Sequence, residues 1–212
     1  MISKLPKWVE VGGFFLAFNA GFINAIGLLG FKHQAVSHLT GTTTFLSLAV
    51  ANADFQEALH LLLVMVCFIL GAAYSGIIIG NTALKLGRRY SLALITESIL
   101  LFISMILLNH GSLLGHFFAS AACGLQNAMT STYSGAIVRT THVSGLFTDL
   151  GVALGLRLRG QKADARKITL YLTLISGFTF DGIAGPLAFV KMQFSAMLLA
   201  SVLTAFIAVR YS

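Results

Sequence analysis

The phrase His38-Leu39-Thr40-Gly41 returns 104 residues later as His142-Val143-Ser144-Gly145, and both copies interrupt a hydrophobic stretch. Outward from each copy the likeness continues. Upstream lie Gly21-x-x-Asn24-Ala25 and Gly124-x-x-Asn127-Ala128. Downstream lie the glycine-rich apolar runs Gly71-Ala72-Ala73-Tyr74-Ser75-Gly76-Ile77 and Gly177-Phe178-Thr179-Phe180-Asp181-Gly182-Ile183. The offset between copies drifts only from 103 to 106. The chain therefore reads as a duplicated unit, with repeats at about 1–110 and 111–212 forming a single membrane domain. Polar breaks at matching places in two hydrophobic halves point to a transport site.

Of 212 residues, 57% are apolar and 10% charged, against about 25% charged in a soluble domain. Stretches 11–31, 58–81, 113–138 and 168–190 approach the ~20 residues that span a bilayer, and 90–108 and 194–209 are slightly shorter. The class is all-α integral membrane. Lys4 and Lys7 precede an apolar run too long and glycine-rich for a signal core, so the first segment is expected to be retained. Cys67 and Cys123 sit inside apolar segments and read as small buried hydrophobes. The net charge of +7 fits basic loops beside a membrane; no basic run interleaved with aromatics suggests nucleic acid.

Each half reads as four segments: A (11–31, 113–138), B (38–53, 142–156), C (58–81, 168–190) and D (90–108, 194–209). Segment B, as a helix, covers roughly 22 Å of a core roughly 30 Å thick. If B crosses, the chain has eight spans and its Lys and Arg divide 6 against 8, without bias. If B enters and returns on one side, there are six spans. One face then holds Lys4, Lys7, Lys85, Arg88, Arg89, Arg139, Arg157, Arg159, Lys162, Arg166, Lys167 and Arg210, and the other only Lys32 and Lys191. That asymmetry selects six transmembrane helices plus two short re-entrant helices, with both termini cytoplasmic. Three crossings per half make the second half an inverted repeat of the first.

Gly21-x-x-Asn24-Ala25, His38-x-Thr40-Gly41, Gly124-Leu125-Gln126-Asn127-Ala128 and Thr141-His142-Val143-Ser144-Gly145-Leu146-x-Thr148-Asp149-Leu150-Gly151 resemble the YoaK family over nearly the whole chain. The resemblance implies a small six-span protein of the bacterial inner membrane, and it brings no assigned substrate. The family's first half often reads Thr-Gly-Asn, where this chain has Thr40-Gly41-Thr42, and often carries an acid in segment A, where this chain has Asn24.

The two turns are expected to open helix B with Thr40 or Ser144 as N-cap. Helix N-termini in a low-dielectric setting attract anions, and Gly41 and Gly145 let a ligand or backbone come close. Substrate-binding candidates are therefore His38, Thr40, Gly41, Thr42, His142, Ser144 and Gly145, with Asn24 and Asn127 either lining the path or bridging helices. Arg139, just before the second turn, reads as an anion ligand or a cytoplasmic anchor.

Three acids lie in apolar segments: Asp181, Asp149 and Glu97. A charge there costs about 2.5–3.5 kcal/mol on the lenient insertion scale, so each is a candidate for proton or ion coupling or a buried structural group. Pro186 is expected to break or kink the helix after Asp181. Glu97 is expected to reach Arg88 or Arg89 by snorkelling, or a partner on another helix. Trp8, Tyr90 and Tyr211 read as interface anchors.

The composite expectation is a transporter or channel for a small polar or anionic solute, embedded in the lipid bilayer, with a homo-oligomer left open and no cofactor, metal or nucleic-acid partner. The alternative is a membrane assembly or sensory protein. An intramembrane enzyme finds no support from His-Glu-x-x-His, Gly-x-Ser-x-Gly or Walker signatures.

Overall fold

The computed structural model describes residues 8–30, 33, 35–80, 87–134 and 138–210, with side chains from Glu10 onward. Among these, the chain forms eight α-helices: α1 (Trp8–Leu29), α2 (Leu39–Ala51), α3 (Phe55–Ile79), α4 (Arg88–Asn109), α5 (Leu114–Ser134), α6 (Val143–Leu158), α7 (Ala165–Met192) and α8 (Met197–Arg210). A 3₁₀ turn, Gln193–Ala196, separates α7 from α8, so the last segment starts with a tight turn rather than directly as a helix. Lys4, Lys7, Lys32, Lys85 and Tyr211, and the Trp8 side chain, lie outside the described residues.

Capping sets several helix starts. The Asp54 carboxylate accepts from Glu57 N at 3.1 Å and opens α3. Asp164 accepts from Arg166 N and Lys167 N and opens α7. Both are helix N-termini satisfied by an acid that also suits the dipole. Gly160, at φ 72°, turns the chain from α6 toward α7 in a backbone region that a side chain disfavours.

Four helical stretches are long and apolar enough to cross a membrane: Glu10–Leu29, Phe55–Ile79, Arg88–Asn109 and Ala165–Arg210. The last, of 46 residues, contains both α7 and α8. Helix α5, in the stretch 113–138 expected to span, is not among the four. It carries His116, Ser120, Gln126, Thr130 and Ser134 buried among its neighbours. A helix wrapped by protein can hold polar side chains that a lipid-facing helix cannot.

Helix pairing follows the repeat. His60 meets His116, Ser120 bonds the Val64 carbonyl, and Gly124 lies against Phe68, so α3 and α5 run in the same direction. Gly13 faces Leu174, Gly21 faces Phe178 and Gly185 faces Phe22, so α1 and α7 also run together. In both pairs glycine lets backbones touch. A Cβ on Gly21 would stand 2.7 Å from the Phe178 carbonyl oxygen and one on Gly177 2.7 Å from that of Phe14. A Cβ on Gly71 or Gly124 would collide with the backbone of Ala121 or Phe68. Such small residues are how helices approach closely where no hydrophobic force drives them together.

Helices α4 and α8 run oppositely. Ser91 bonds Ala208 O and Ser104 lies on Met197 Sδ, 13 residues later on α4 and 11 earlier on α8. Between them Ser98 Oγ donates to Ser201 O at 2.8 Å, and Ser201 Oγ donates to Ser98 O at 2.9 Å. Ser98 and Ser201 are 103 residues apart, the offset of Gly21 and Gly124. Helices α2 and α6 pack against α3 and α7 respectively, each as a hairpin arm.

The chain before each short helix folds back along the long helix it has left. Ser37 donates from N and Oγ to Asn24 Oδ1, at 3.3 and 3.1 Å, five residues before the end of α1. Thr140 Oγ1 accepts from Gln126 Nε2 at 3.1 Å, eight residues before the end of α5.

Two expectations fail here. Of the break or kink expected at Pro186, the break does not occur, and helix α7 runs unbroken through it. Proline removes one backbone hydrogen bond, and a helix inside such a bundle keeps the rest. Tyr90 is buried rather than interfacial. Its ring meets Tyr133 edge-on at 5.5 Å, within a core that includes Ala17, Leu125, Met129 and Leu174.

Candidate functional site

Helix α2 begins at Leu39 and α6 at Val143, so the N-caps are His38 and His142, neither of which makes a side-chain cap bond. This corrects the expectation that Thr40 and Ser144 are the caps. They stand two positions past the caps, on the first turn, and are exposed. Their carbonyls accept from Thr44 and Thr148 at 3.1 and 3.0 Å, a matched pair of bonds in the two halves. The glycines serve the histidines. A Cβ on Gly41 would lie 2.7 Å from His38 Nδ1, and one on Gly145 2.8 Å from His142 Cε1. Each imidazole therefore folds over the first turn of the helix it precedes.

The two turns meet in one cavity of about 570 Å³. Its wall contains His38, Leu39 and Thr40 from the first turn and Thr141, His142, Val143 and Ser144 from the second. Asn24, Asn127, Ser131, Phe68 and Phe178 join them from α1, α5, α3 and α7. Residues about a hundred positions apart in sequence thus converge on one space. Two helix N-termini open on it, each with backbone N–H groups that lack helical partners. Arg139 also lines it, with Nη1 3.3 Å from His142 Nδ1. No acid is part of the wall. Unpaired donors, a guanidinium and two positive dipole ends suit a negative or strongly polar guest.

The asparagines play unequal parts. Asn24 is tied to Ser37 and so holds the first turn in place. Asn127 Oδ1, in contrast, has no partner among the described residues although it is buried. Thr42 is not in the wall. It is buried, with its hydroxyl on the carbonyls of His38 and Ala35 at 3.2 and 3.4 Å.

The acids lie elsewhere. Asp149 is exposed on α6 and borders a separate surface hollow with Lys162, Lys167 and Tyr171. Asp181 is fully buried on the face of α7 that carries Gly177 and Gly185, the face pressed on α1, and neither oxygen has a partner among the described residues. Glu97 is also fully buried, and of its expected partners the one on another helix is found rather than Arg88 or Arg89. Its Oε1 instead accepts from Asn19 Nδ2 of α1 at 3.2 Å. Asn19 and Gln126 are polar anchors that the sequence reading missed. Asn19 is a single amide in an apolar run, and Gln126 is legible only as part of the Gly124–Ala128 motif, without a role of its own. Cys67 and Cys123 are free thiols. Among the described residues no three His, Cys, Asp or Glu side chains are grouped as metal ligands would be.

No curated protein and no solved structure matches this chain. Residues 12–210 match the family described as DUF1275, protein of unknown function, and the chain belongs to that family.

Proposed function

We propose that the protein is a small membrane transporter or channel for a small polar or anionic solute, with its site where the two His-x-(Thr/Ser)-Gly turns face each other. The observation that carries this reading is the single cavity bounded by both turns, by Arg139 and by no acid. In this reading α1, α3, α4, α5, α7 and α8 cross the bilayer of the bacterial inner membrane, with both termini cytoplasmic. Helices α2 and α6 are re-entrant. At 13 and 16 residues they measure roughly 20 and 24 Å, short of a roughly 30 Å core, which the 14-residue α8 approaches only together with the 3₁₀ turn before it. The opposed directions of α4 and α8 favour six spans, because eight alternating spans would make those two helices run together. The reciprocal Ser98–Ser201 bonds favour a local two-fold between the halves, as inverted repeats require. The folding-back of Ser37 to Asn24 and of Thr140 to Gln126 carries both turns to the depth of those anchors. The motif resemblance to the YoaK family fits the same six-span plan.

Flux of nitrate, formate and phosphate into liposomes containing the purified protein tests this. Arg139→Gln and Thr40→Val should each slow the anion that the native protein carries, the former by about tenfold, the scale of one charge-assisted hydrogen bond. Equal flux in the native protein and both variants would remove the site. A non-transport assembly role is favoured by one observation. Helix α6 has only Leu146 buried, and Gly151 and Gly155 face open space. That role predicts tight self-association with no flux of any tested anion.

A further inference from the structure

Beneath the cavity lies a polar network at the meeting of α1, α4, α5 and α8. Asn19 Nδ2 is within hydrogen-bond reach of three acceptors: Glu97 Oε1 at 3.2 Å, Gln126 Oε1 at 3.4 Å and Thr204 Oγ1 at 3.0 Å. An amide nitrogen has two hydrogens. The Thr204 hydroxyl hydrogen is committed to the Ala200 carbonyl at 2.9 Å. The Gln126 amide donates to the Leu16 carbonyl at 2.8 Å and to Thr140 Oγ1 at 3.1 Å, so it too has none to spare. Glu97 Oε2 and Asn19 Oδ1 are buried without partners among the described residues. Three acceptors share two hydrogens, and the network is one hydrogen short. A proton on Glu97 would relieve the shortage, because a neutral carboxyl turns one of its oxygens into a donor, with Asn19 Oδ1 as the unmet acceptor of the network.

We propose that Glu97, with Asn19 and Gln126, forms a proton-binding site wired to the cavity through Thr140. When Glu97 is ionised, it demands an Asn19 N–H, and Gln126 Oε1 and Thr204 compete for the other. When Glu97 carries the proton, both Asn19 hydrogens are released to Gln126 and Thr204. The far end of Gln126 holds Thr140, and the next residues, Thr141 and His142, line the cavity. Proton occupancy at Glu97 therefore sets how firmly the second turn is held. Low dielectric strengthens each of these bonds and makes the missing one costly. This inference rests on the cavity being the solute site and names the residues that couple it to protons.

The groups around Glu97 add no competing charge. On α5 the buried side chains include the Cys123 thiol. From α1 and α8 the neighbours are Asn19 and Thr204. Of the other titratable groups, His116 meets His60, Tyr133 meets Tyr90, and Tyr74 of α3 reaches Thr96, the residue before Glu97. Glu10 is bound to Arg166, Glu57 and His60 belong to the start of α3, and Arg210 ends α8. On α4 itself, Arg88 and Arg89 lie at its first turn.

Two measurements on the full-length protein in lipid test this together. The first is the infrared carbonyl stretch of a protonated carboxyl, followed between acid and alkaline buffer, in protein labelled with ¹³C-glutamate. The chain has only Glu10, Glu57 and Glu97, and the wild-type label needs no substitution. The second is the ¹⁹F signal of a trifluoromethyl tag on Thr141→Cys in a Cys67→Ser, Cys123→Ala background. The pH-dependent glutamate signal should contain a Glu97 band, which Glu97→Gln should abolish while the Glu10 and Glu57 signals remain. Glu97→Gln should also remove one pH-dependent component of the tag signal. Gln126→Leu should keep the band yet uncouple the tag, and Asp181→Asn should change neither. No Glu97 band, or a tag response indifferent to Glu97→Gln, overturns the proposal. A tag that a water-soluble paramagnetic quencher cannot reach would instead sink the cavity reading while leaving the infrared result standing.

Discussion

A glycine is the least informative letter in an apolar helix until its neighbour is known. Gly124 lies so close to the Phe68 backbone that no side chain fits, whereas Gly151 faces open space. Gly124→Val should therefore cost about 1–3 kcal/mol or more of stability, the usual penalty of overpacking, and Gly151→Ala should cost almost nothing. Thermal unfolding of the two variants in detergent measures the difference. Equal midpoints would mean that the α3–α5 contact is not a close one. Asp181 poses the opposite question. A buried carboxyl without partners is a poor stabiliser, and apolar replacements of buried polar groups are often neutral or better. Asp181→Leu should leave the midpoint unchanged or raise it. A clear fall would mean that Asp181 is held by a partner.

At the scale of elements, Ser98 and Ser201 join α4 to α8 by bonds that each residue both gives and receives. Hydrogen bonds between membrane helices average about 0.6 kcal/mol and reach about 1.7. A double-mutant cycle on Ser98→Ala and Ser201→Ala should return a coupling in that range; a coupling of zero would show the pair to be incidental. Much of this level was legible in the sequence. Segment edges drawn from hydropathy agree with the helix ends to within a turn, because long apolar runs leave little choice of structure. The repeated His-x-(Thr/Ser)-Gly phrase pointed to two turns that do share a cavity. What failed depended on neighbours. Thr40 and Ser144 looked like caps because hydroxyls usually are, yet each helix starts two residues sooner, at the histidine's successor. Pro186 looked like a break, and the bundle tolerates it. Asn19 and Gln126 were passed over because a lone amide in an apolar helix carries no periodic signal, and their importance comes from α1, α4, α5 and α8 crossing at one place.

For the molecule as a whole, the pairings α1 with α7 and α3 with α5 exchange partners between halves, so neither half makes its own core. The halves should not fold apart. Co-expression of 1–110 and 111–212 as separate chains should yield a complex that co-purifies, with each half alone aggregated. Either half found folded alone would argue against the exchange. The opposed placement of the halves is tested most directly by the turns that follow the two short helices. In a Cys67→Ser, Cys123→Ala background, Asn52→Cys marks the turn after α2 and Gln161→Cys the turn after α6. A membrane-impermeant thiol reagent applied to intact and to opened cells reads which face each occupies. With re-entrant α2 and α6, the two cysteines should be labelled from opposite faces of the membrane. Labelling of both from the same face would mean that α2 and α6 cross, and the facing of the two turns at the bilayer centre would be contradicted.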